Sequence, residues 1–349
     1  MITAYLATTV ITFTISFLTI FVFKKLGIVD KPDHVRKIHK GDISLGGGVV
    51  LFLSCSLSLF ILFPEFSLGI NGDHPGLPII WNISIIILLV GLYDDIVPMQ
   101  PALRIIVQVI ASWLVIVFTD IYLRDLGDLF GLGLINLGAF GIPITIFMVV
   151  GVCNAFNMLD GMDGLVTFLL IIPATFIGML ANIKGSTGLI FIGPLILLVF
   201  LVFNLGLLGK KWKMFLGDSG AMWLGFITAW LLICLSQNET RYNFPPVTAL
   251  WFVMIPLVDS LSTFMTRIWN KRSIFQGDRT HIHHTLLDLG LKKWHVLCIF
   301  LFITMIVSSL GFYFIINNVQ EYYQFYGFLT LWFFYHLLLK LPMAKRDKS

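Results

Sequence analysis

The chain has 349 residues, 58% hydrophobic and only 12% charged, with a mean hydropathy of +0.92 and a formal net charge of +4. A soluble protein carries about 25% charged residues. The composition therefore excludes a string of soluble domains and points to an all-α, polytopic integral membrane protein, and the small net charge gives no reason to expect a nucleic-acid partner. Cys55, Cys153, Cys234 and Cys298 all lie in apolar runs without metal-type spacing, so they read as small buried hydrophobes.

The first apolar run, Ile2 to Phe23, ends on Lys24-Lys25. A signal peptide carries its positive charge at the other end, so this run reads as a retained helix with its N-terminus on the outer, periplasmic side. Spans long enough for a bilayer follow, making eleven in all: about 2–23, 45–63, 78–93, 104–121, 140–158, 164–182, 187–208, 220–236, 247–267, 295–316 and 324–341. Residues 1–341 read as a single transmembrane catalytic domain and 342–349 as a short basic cytoplasmic tail. With this layout the inner segments hold 20 of the 23 Lys and Arg residues, and the outer ones only Arg124, Lys184 and Arg241. Such a bias supports both the number of spans and a cytoplasmic C-terminus.

The polar clusters fall on the inner segments in turn. The first carries Asp30-Lys31-Pro32, His34, Arg36, Lys37, His39 and Lys40, then a glycine run at Gly46–Gly48. The second carries Asp94-Asp95 and Arg104. Adjacent helical residues point about 100° apart. One acid can then face a site while the other holds a neighbouring cation, or both can form a solvated helix end before Pro98. In the third, Asn154, Asn157, Asp160 and Asp163 recur at i, i+3 spacing, a polar stripe on one helix face. Gly161 and Gly164 loosen that helix end. Amides and carboxylates suit hydrogen bonds to a nucleobase or sugar, or ligation of a hard cation. The fourth, Lys210 to Ala221, has three lysines and then Gly217-Asp218-Ser219-Gly220. An Asp in mid-membrane costs about 2.5–3.5 kcal/mol on insertion scales, so acids at membrane depth tend to be functional and to find a cation. Asp218 or Ser219 would also serve as a helix N-cap.

The fifth segment carries Asp278-Arg279 and His281-Ile282-His283-His284. On a helix these histidines would point to different faces, and no Glu or Cys completes a zinc set. Imidazoles beside a guanidinium suit phosphate oxygens; the alternative is a basic loop meeting lipid headgroups. Carboxylates, amides, a Gly-rich loop and dense cations on one face together suit phosphoryl transfer from a soluble nucleotide to a membrane acceptor, with Mg²⁺ favoured by hard oxygen ligands. Pro256 should break the ninth span. Asp259 follows one turn later, so the bend either opens a lipid-facing groove for a prenyl chain or is an ordinary packed kink.

Five motifs, DKPDHVRKIHKG (30–41), LYDDI (92–96), NAFNMLDGMDG (154–164), FLGDSG (215–220) and DRTHIHH (278–284), occur in one order over nearly the whole chain. Each is weak alone, but the set resembles specifically the polyprenyl-phosphate N-acetylhexosamine-1-phosphate transferases, the MraY/WecA/TagO group. The HIHH spelling and Asn-Leu-Gly at 204–206 are most similar to the WecA branch, because MraY-like members have three consecutive histidines where Ile282 interrupts here. The resemblance implies a bacterial inner-membrane, multi-pass enzyme. It would take UDP-N-acetylglucosamine and undecaprenyl phosphate, with Mg²⁺ or Mn²⁺, to undecaprenyl-pyrophosphate-GlcNAc and UMP. That lipid begins O-antigen or enterobacterial-common-antigen-type glycans. By position, Asp218 with Asn157 becomes the Mg²⁺ ligand set, and Asp94 and Asp95 the acids near the lipid phosphate and metal. Asn154, Asp160 and Asp163 become the nucleotide-binding stripe. Arg279, His281, His283 and His284 become the grip on pyrophosphate and sugar, with His281 counted among the catalytic groups, and His39 and Lys40 add phosphate contacts. The partners implied are the two substrates and membrane lipid; a homodimer is compatible with the resemblance.

Two rivals fit less well. Tyr93-Asp94 and Gly217-Asp218 are also similar to the motifs of intramembrane aspartyl proteases, but Phe215 spoils the second, and Asn154–Asp163 and the histidines would have no use. A transporter would place polar groups near the bilayer midplane, often in repeated halves; here they gather at one face.

Overall fold

The computed structural model describes residues 2–31, 41–62, 76–183, 191–237, 244–271 and 281–346. Within them the chain is mainly helical, with one small hairpin, a non-helical stretch over 120–137 closed by an Asp125–Asn136 bridge, and a short extended segment before residue 217. Helix α1 (Ile2–Leu26) leads to β1 (Val29–Asp30), which pairs antiparallel with β2 (Ile43–Ser44). Then come α2 (Gly47–Leu62), α3 (Leu77–Ile96), α4 (Pro101–Thr119), α5 (Gly141–Leu159), α6 (Leu165–Ile183), α7 (Ile192–Asn204) and α8 (Gly217–Gln237). The chain continues as α9 (Pro246–Phe252), α10 (Met254–Trp269), α11 (Ile282–Asp288), α12 (Lys293–Ile316) and α13 (Glu321–Arg346). Prolines open α3, α4 and α9, where a missing N–H costs nothing.

All eleven expected apolar stretches fall on helices. Six stretches are long and apolar enough to cross a membrane: α1, α3, α4, Gly138–Leu159 (α5 with its preceding turn), α8 and α12. The broken pair α9–α10 makes a seventh if counted as one span. Helices α2 and α7 and the Leu165–Leu180 part of α6 are apolar but shorter. The ninth apolar stretch does more than kink: α9 and α10 meet at 87°. Pro256 lacks the N–H that would bond the Phe252 carbonyl, and α9 ends at Phe252. Pro256 itself lies in the first turn of α10, whose ladder begins with Leu257 N–H to the Val253 carbonyl at 3.1 Å.

The bundle is built around α8. Inside the molecule lies 83% of its apolar window, against 28–39% for the other five long helices. It packs against α2, α3, α5 and α9, and glycines allow the close approach. A Cβ on Gly48 would sit 2.5 Å from the Gly220 nitrogen, one on Gly91 2.4 Å from Ser219 Cα, and one on Gly225 2.8 Å from Cys153 Cα. Small residues are what let helices touch backbone to backbone in lipid. Gly46–Gly48, the glycine run of the first inner segment, therefore form a packing notch. Main-chain bonds secure it: Gly47 N–H to Phe215 O at 3.1 Å, Gly48 N–H to Leu216 O at 3.2 Å and Phe215 N–H to Ser44 O at 2.9 Å.

Candidate active site

The first N–H groups of a helix have no partner within it. At α8 they are met from another helix. Asp95, in the last turn of α3, accepts Asp218 N–H at 2.7 Å through Oδ1 and Ser219 N–H at 3.1 Å through Oδ2. An anion at a helix N-terminus is also electrostatically favoured. Gly217 makes the seat: its φ is +75°, and a Cβ would lie 2.6 Å from Asp95 Oδ2. The cap therefore belongs to Asp95, not to Asp218 or Ser219. The Asp218 side chain, 37% exposed, is left facing the surface beside Asp94, Arg104 and Asn157.

Asp94 takes the other role open to the pair. It is buried, accepts Arg104 Nη1 at 2.7 Å through Oδ2, and accepts Met99 N–H at 2.6 Å through Oδ1. The same Arg104 nitrogen lies 3.8 Å from Asp218 Oδ2. One guanidinium thus serves two carboxylates.

The stripe at the end of α5 divides. Asn157 reaches Asp218. Asp160 follows α5; burial first, and then the charges of Asp218, Asp95 and Asp163, hold its carboxyl well above the usual carboxylate range. Asp163 is half-buried and paired with Lys213 Nζ at 2.7 Å, which brings the lysine segment to the stripe. Asn154 does not join this group. Its amide donates to Gln108 Oε1 at 2.8 Å and to the Val150 carbonyl at 2.7 Å, and so serves the α4–α5 contact.

The histidines gather closely. His281 stands just before α11 in extended backbone (φ −66°, ψ 145°), so helical spacing does not apply and its ring lies parallel to His283 at 5.8 Å. His283 and His284 are 4.1 Å apart. His283 is fully buried and packs on Gly161, where a Cβ would meet its Nε2 at 2.5 Å. The histidine segment thus docks on the Asp-Gly turn that carries Asp160. Asp259 lines no lipid groove: fully buried, it accepts from His281 and Tyr335.

Two residues that the sequence marks for other reasons turn out to position the site. Asn204, at the end of α7, accepts Gly164 N–H at 2.6 Å and donates to the Met214 carbonyl at 2.9 Å, tying the Asp160–Gly164 turn to the segment before α8. Asp259 is the other. Each is a strongly polar side chain entering an apolar run, a signal that it has a partner but not of which one. His39, Lys40 and Arg279 lie outside the described residues.

Among the described residues no three or more His, Cys, Asp or Glu side chains form a ready metal cage. The oxygens of Asp218, Asn157 and Asp160 are hard donors. They fit a cation of the Mg²⁺ type, which takes one or two carboxylates and completes its shell with phosphate and water.

The sequence profile of glycosyl transferase family 4 matches residues 77–236, from the start of α3 to the end of α8. The undecaprenyl-phosphate alpha-N-acetylglucosaminyl 1-phosphate transferase of Escherichia coli K12 is 32% identical over 335 residues, covering 93% of this chain and 88% of that one. Its namesake in Haemophilus influenzae is 34% identical over 93% of this chain and 91% of its own length. The one in Salmonella typhi is 31% identical, covering 93% and 88%. The carboxylates gathered around the start of α8 lie inside the matched region. The chain is a multi-pass membrane protein and belongs to glycosyl transferase family 4, among the polyprenyl-phosphate sugar-1-phosphate transferases.

Proposed function

We propose that the protein transfers N-acetylglucosamine-1-phosphate from UDP-N-acetylglucosamine to undecaprenyl phosphate, giving undecaprenyl-pyrophosphate-N-acetylglucosamine and UMP. The observation that carries this reading is the convergence of Asp94, Asp95, Asn157, Asp160 and Asp218 at the start of α8, with Arg104 between two of the acids. The names of the relatives supply the substrates.

An oxygen of the lipid phosphate attacks the β-phosphorus. The bond from that phosphorus to the bridging oxygen breaks, and UMP leaves with the electron pair. A phosphate monoester has a second pKa of about 6, so the nucleophile is mostly dianionic at neutral pH and needs no strong base. What remains is positioning and charge neutralisation. Asp218 and Asn157 would hold Mg²⁺, or Mn²⁺ in its place, and the cation would neutralise pyrophosphate charge. Asp94 aims Arg104 at the same region, and Asp95 fixes the helix end that presents Asp218. Asp160 and Asp163 face the nucleotide, and Asn154 supports their helix through Gln108. His281 and His284 grip the pyrophosphate and sugar with Arg279, His283, fully buried against Gly161, seats their segment instead of touching substrate, and His39 and Lys40 add phosphate contacts.

The site faces the cytoplasm of a bacterial inner membrane. The chain crosses eleven times with its N-terminus periplasmic, the arrangement that leaves 20 of 23 basic residues inside. The test is UMP release by purified protein from the two substrates and Mg²⁺, with each omitted in turn. Release that needs all three and vanishes in Asp218→Asn supports the reading. Folded protein that releases no UMP from any UDP-N-acetyl-sugar would overturn it, and flux measurements would then test transport.

A further inference from the structure

We propose that Asp259, held by Tyr335, is a positioning residue that sets the tautomer and aim of His281 and thereby the seating of the whole histidine segment. The inference rests on the transfer reading above and deepens it.

A carboxylate buried inside a bundle is costly unless its oxygens are met. Those of Asp259 are met from three sides. His281 Nδ1 lies 2.5 Å from Oδ2, while Oδ1 accepts the Tyr335 hydroxyl at 2.6 Å and Ile282 N–H at 3.2 Å. The donors come from the start of α11 and from α13, and Asp259 itself is on α10. An ionised carboxylate only accepts, so the Nδ1 facing it carries a hydrogen. The neutral ring then presents Nε2 as an acceptor, and the charged ring presents Nε2–H as a donor. A third group that orients a working imidazole in this way is a recurring catalytic arrangement.

The consequence travels along the rings. His281 stacks parallel to His283 (12° between planes), and His283 is pressed against Gly161, next to Asp160. Rotating His281 would therefore disturb the contact that seats the segment on the acid cluster. Tyr335 makes α13 part of this support although it lies far along the chain. One helical turn earlier, Trp332 Nε1 donates to Ser262 Oγ at 3.1 Å, so α13 is pinned to α10 at two successive places.

Asp259→Asn separates this role from simple packing. The amide keeps the shape but offers one accepting oxygen to the donors of His281, Tyr335 and Ile282: with NH₂ toward Nδ1 the ring must turn or adopt the other tautomer, and with the oxygen there the NH₂ faces the Ile282 N–H and pushes the start of α11 away. Supporting groups behind a working ligand typically matter by about 10–100-fold, and that loss of kcat in UMP release is expected, with thermal stability lowered only slightly. Tyr335→Phe removes one of the three donors to Asp259 and should lower kcat less than Asp259→Asn does, and it carries the test if Asp259→Asn fails to fold. The decisive comparison is the double-mutant cycle with His281→Ala. If Asp259 acts through His281, Asp259→Asn will change little once His281 is gone. If His281→Ala turns over too slowly to measure, the same cycle is read in the thermal shift given by UDP-N-acetylglucosamine. Equal losses in both backgrounds, or a wild-type rate in Asp259→Asn and Tyr335→Phe, would overturn the proposal. A wild-type protein that releases no UMP would instead sink the transfer reading, so the two failures are distinguishable.

Discussion

Gly91→Ala tests whether backbone contact between α3 and α8 aligns the site. The added methyl would lie 2.4 Å from Ser219 Cα and 2.7 Å from the Ser219 nitrogen. Carbon atoms at rest sit about 3.5–4.0 Å apart, so the helices must part by roughly 1 Å or more. Both obstacles are main chain, and no rotamer change relieves them. Overpacking of this kind costs about 1–3 kcal/mol, which a large bundle survives. The same displacement stretches the 2.7 Å bond from Asp218 N–H to Asp95 beyond hydrogen-bonding range and moves Asp218 away from Asp94 and Arg104. A misplacement of about 1 Å costs on the order of 10²-fold in rate. The assay is kcat for UMP release at saturating substrates, with thermal unfolding measured on the same samples. Gly193→Ala on α7, where a Cβ meets nothing within 4 Å, is the control and should match wild type. A Gly91→Ala enzyme that is folded and turns over at the wild-type rate would refute the alignment argument.

Asp95→Asn keeps one acceptor for two N–H groups, so the start of α8 should lose about 1–2 kcal/mol while kcat falls less than in Asp218→Asn; equal losses would mean that Asp95 does more than cap. Asn204→Ala strands the Gly164 N–H and the Met214 carbonyl, so stability should drop by about 2–4 kcal/mol and the KM for the nucleotide sugar should rise; chemical denaturation and initial rates read both. Glu321 lies on the other side of the bundle, where burial first, and then Asp125 and Asp128, raise its pKa above the ordinary glutamate value. Its protonated form is thus favoured by folding. That contribution is complete below the unfolded value of about 4.3 and is lost as pH rises through the raised one. The melting temperature of Glu321→Gln minus that of wild type should therefore grow as pH rises over this window and then level off. A difference independent of pH would refute the environment assigned to Glu321.

The helices were legible because an apolar run must bond its own backbone wherever water is absent. The break near Pro256 was legible for the same reason, displaced four residues to the carbonyl that lost its donor. The division of labour between Asp94 and Asp95 was visible as a choice of roles, but its direction was not. Which acid caps α8 depends on how closely Gly91 lets α3 approach, and that is a tertiary fact. Likewise the His281-x-His283-His284 spacing misled only because His281 precedes its helix. Asn204 stands in the Asn-Leu-Gly stretch and Asp259 one turn after Pro256, but neither setting says what the side chain holds. A lone polar side chain in an apolar run announces that it has a partner, not where the partner is.

The enclosed position of α8 has a consequence for how the protein is made. Asp95 is synthesised 123 residues before the N–H groups that satisfy it. At about 5–20 residues per second, that carboxylate waits roughly 6–25 s for its donors. The close contacts that Gly48 and Gly91 make with the start of α8 are meanwhile unmade. Arrival of α8 both fills the space between α2, α3 and α5 and supplies the missing hydrogen bonds. A ribosome paused before residue 217 would hold a half-built bundle whose central helix is still missing.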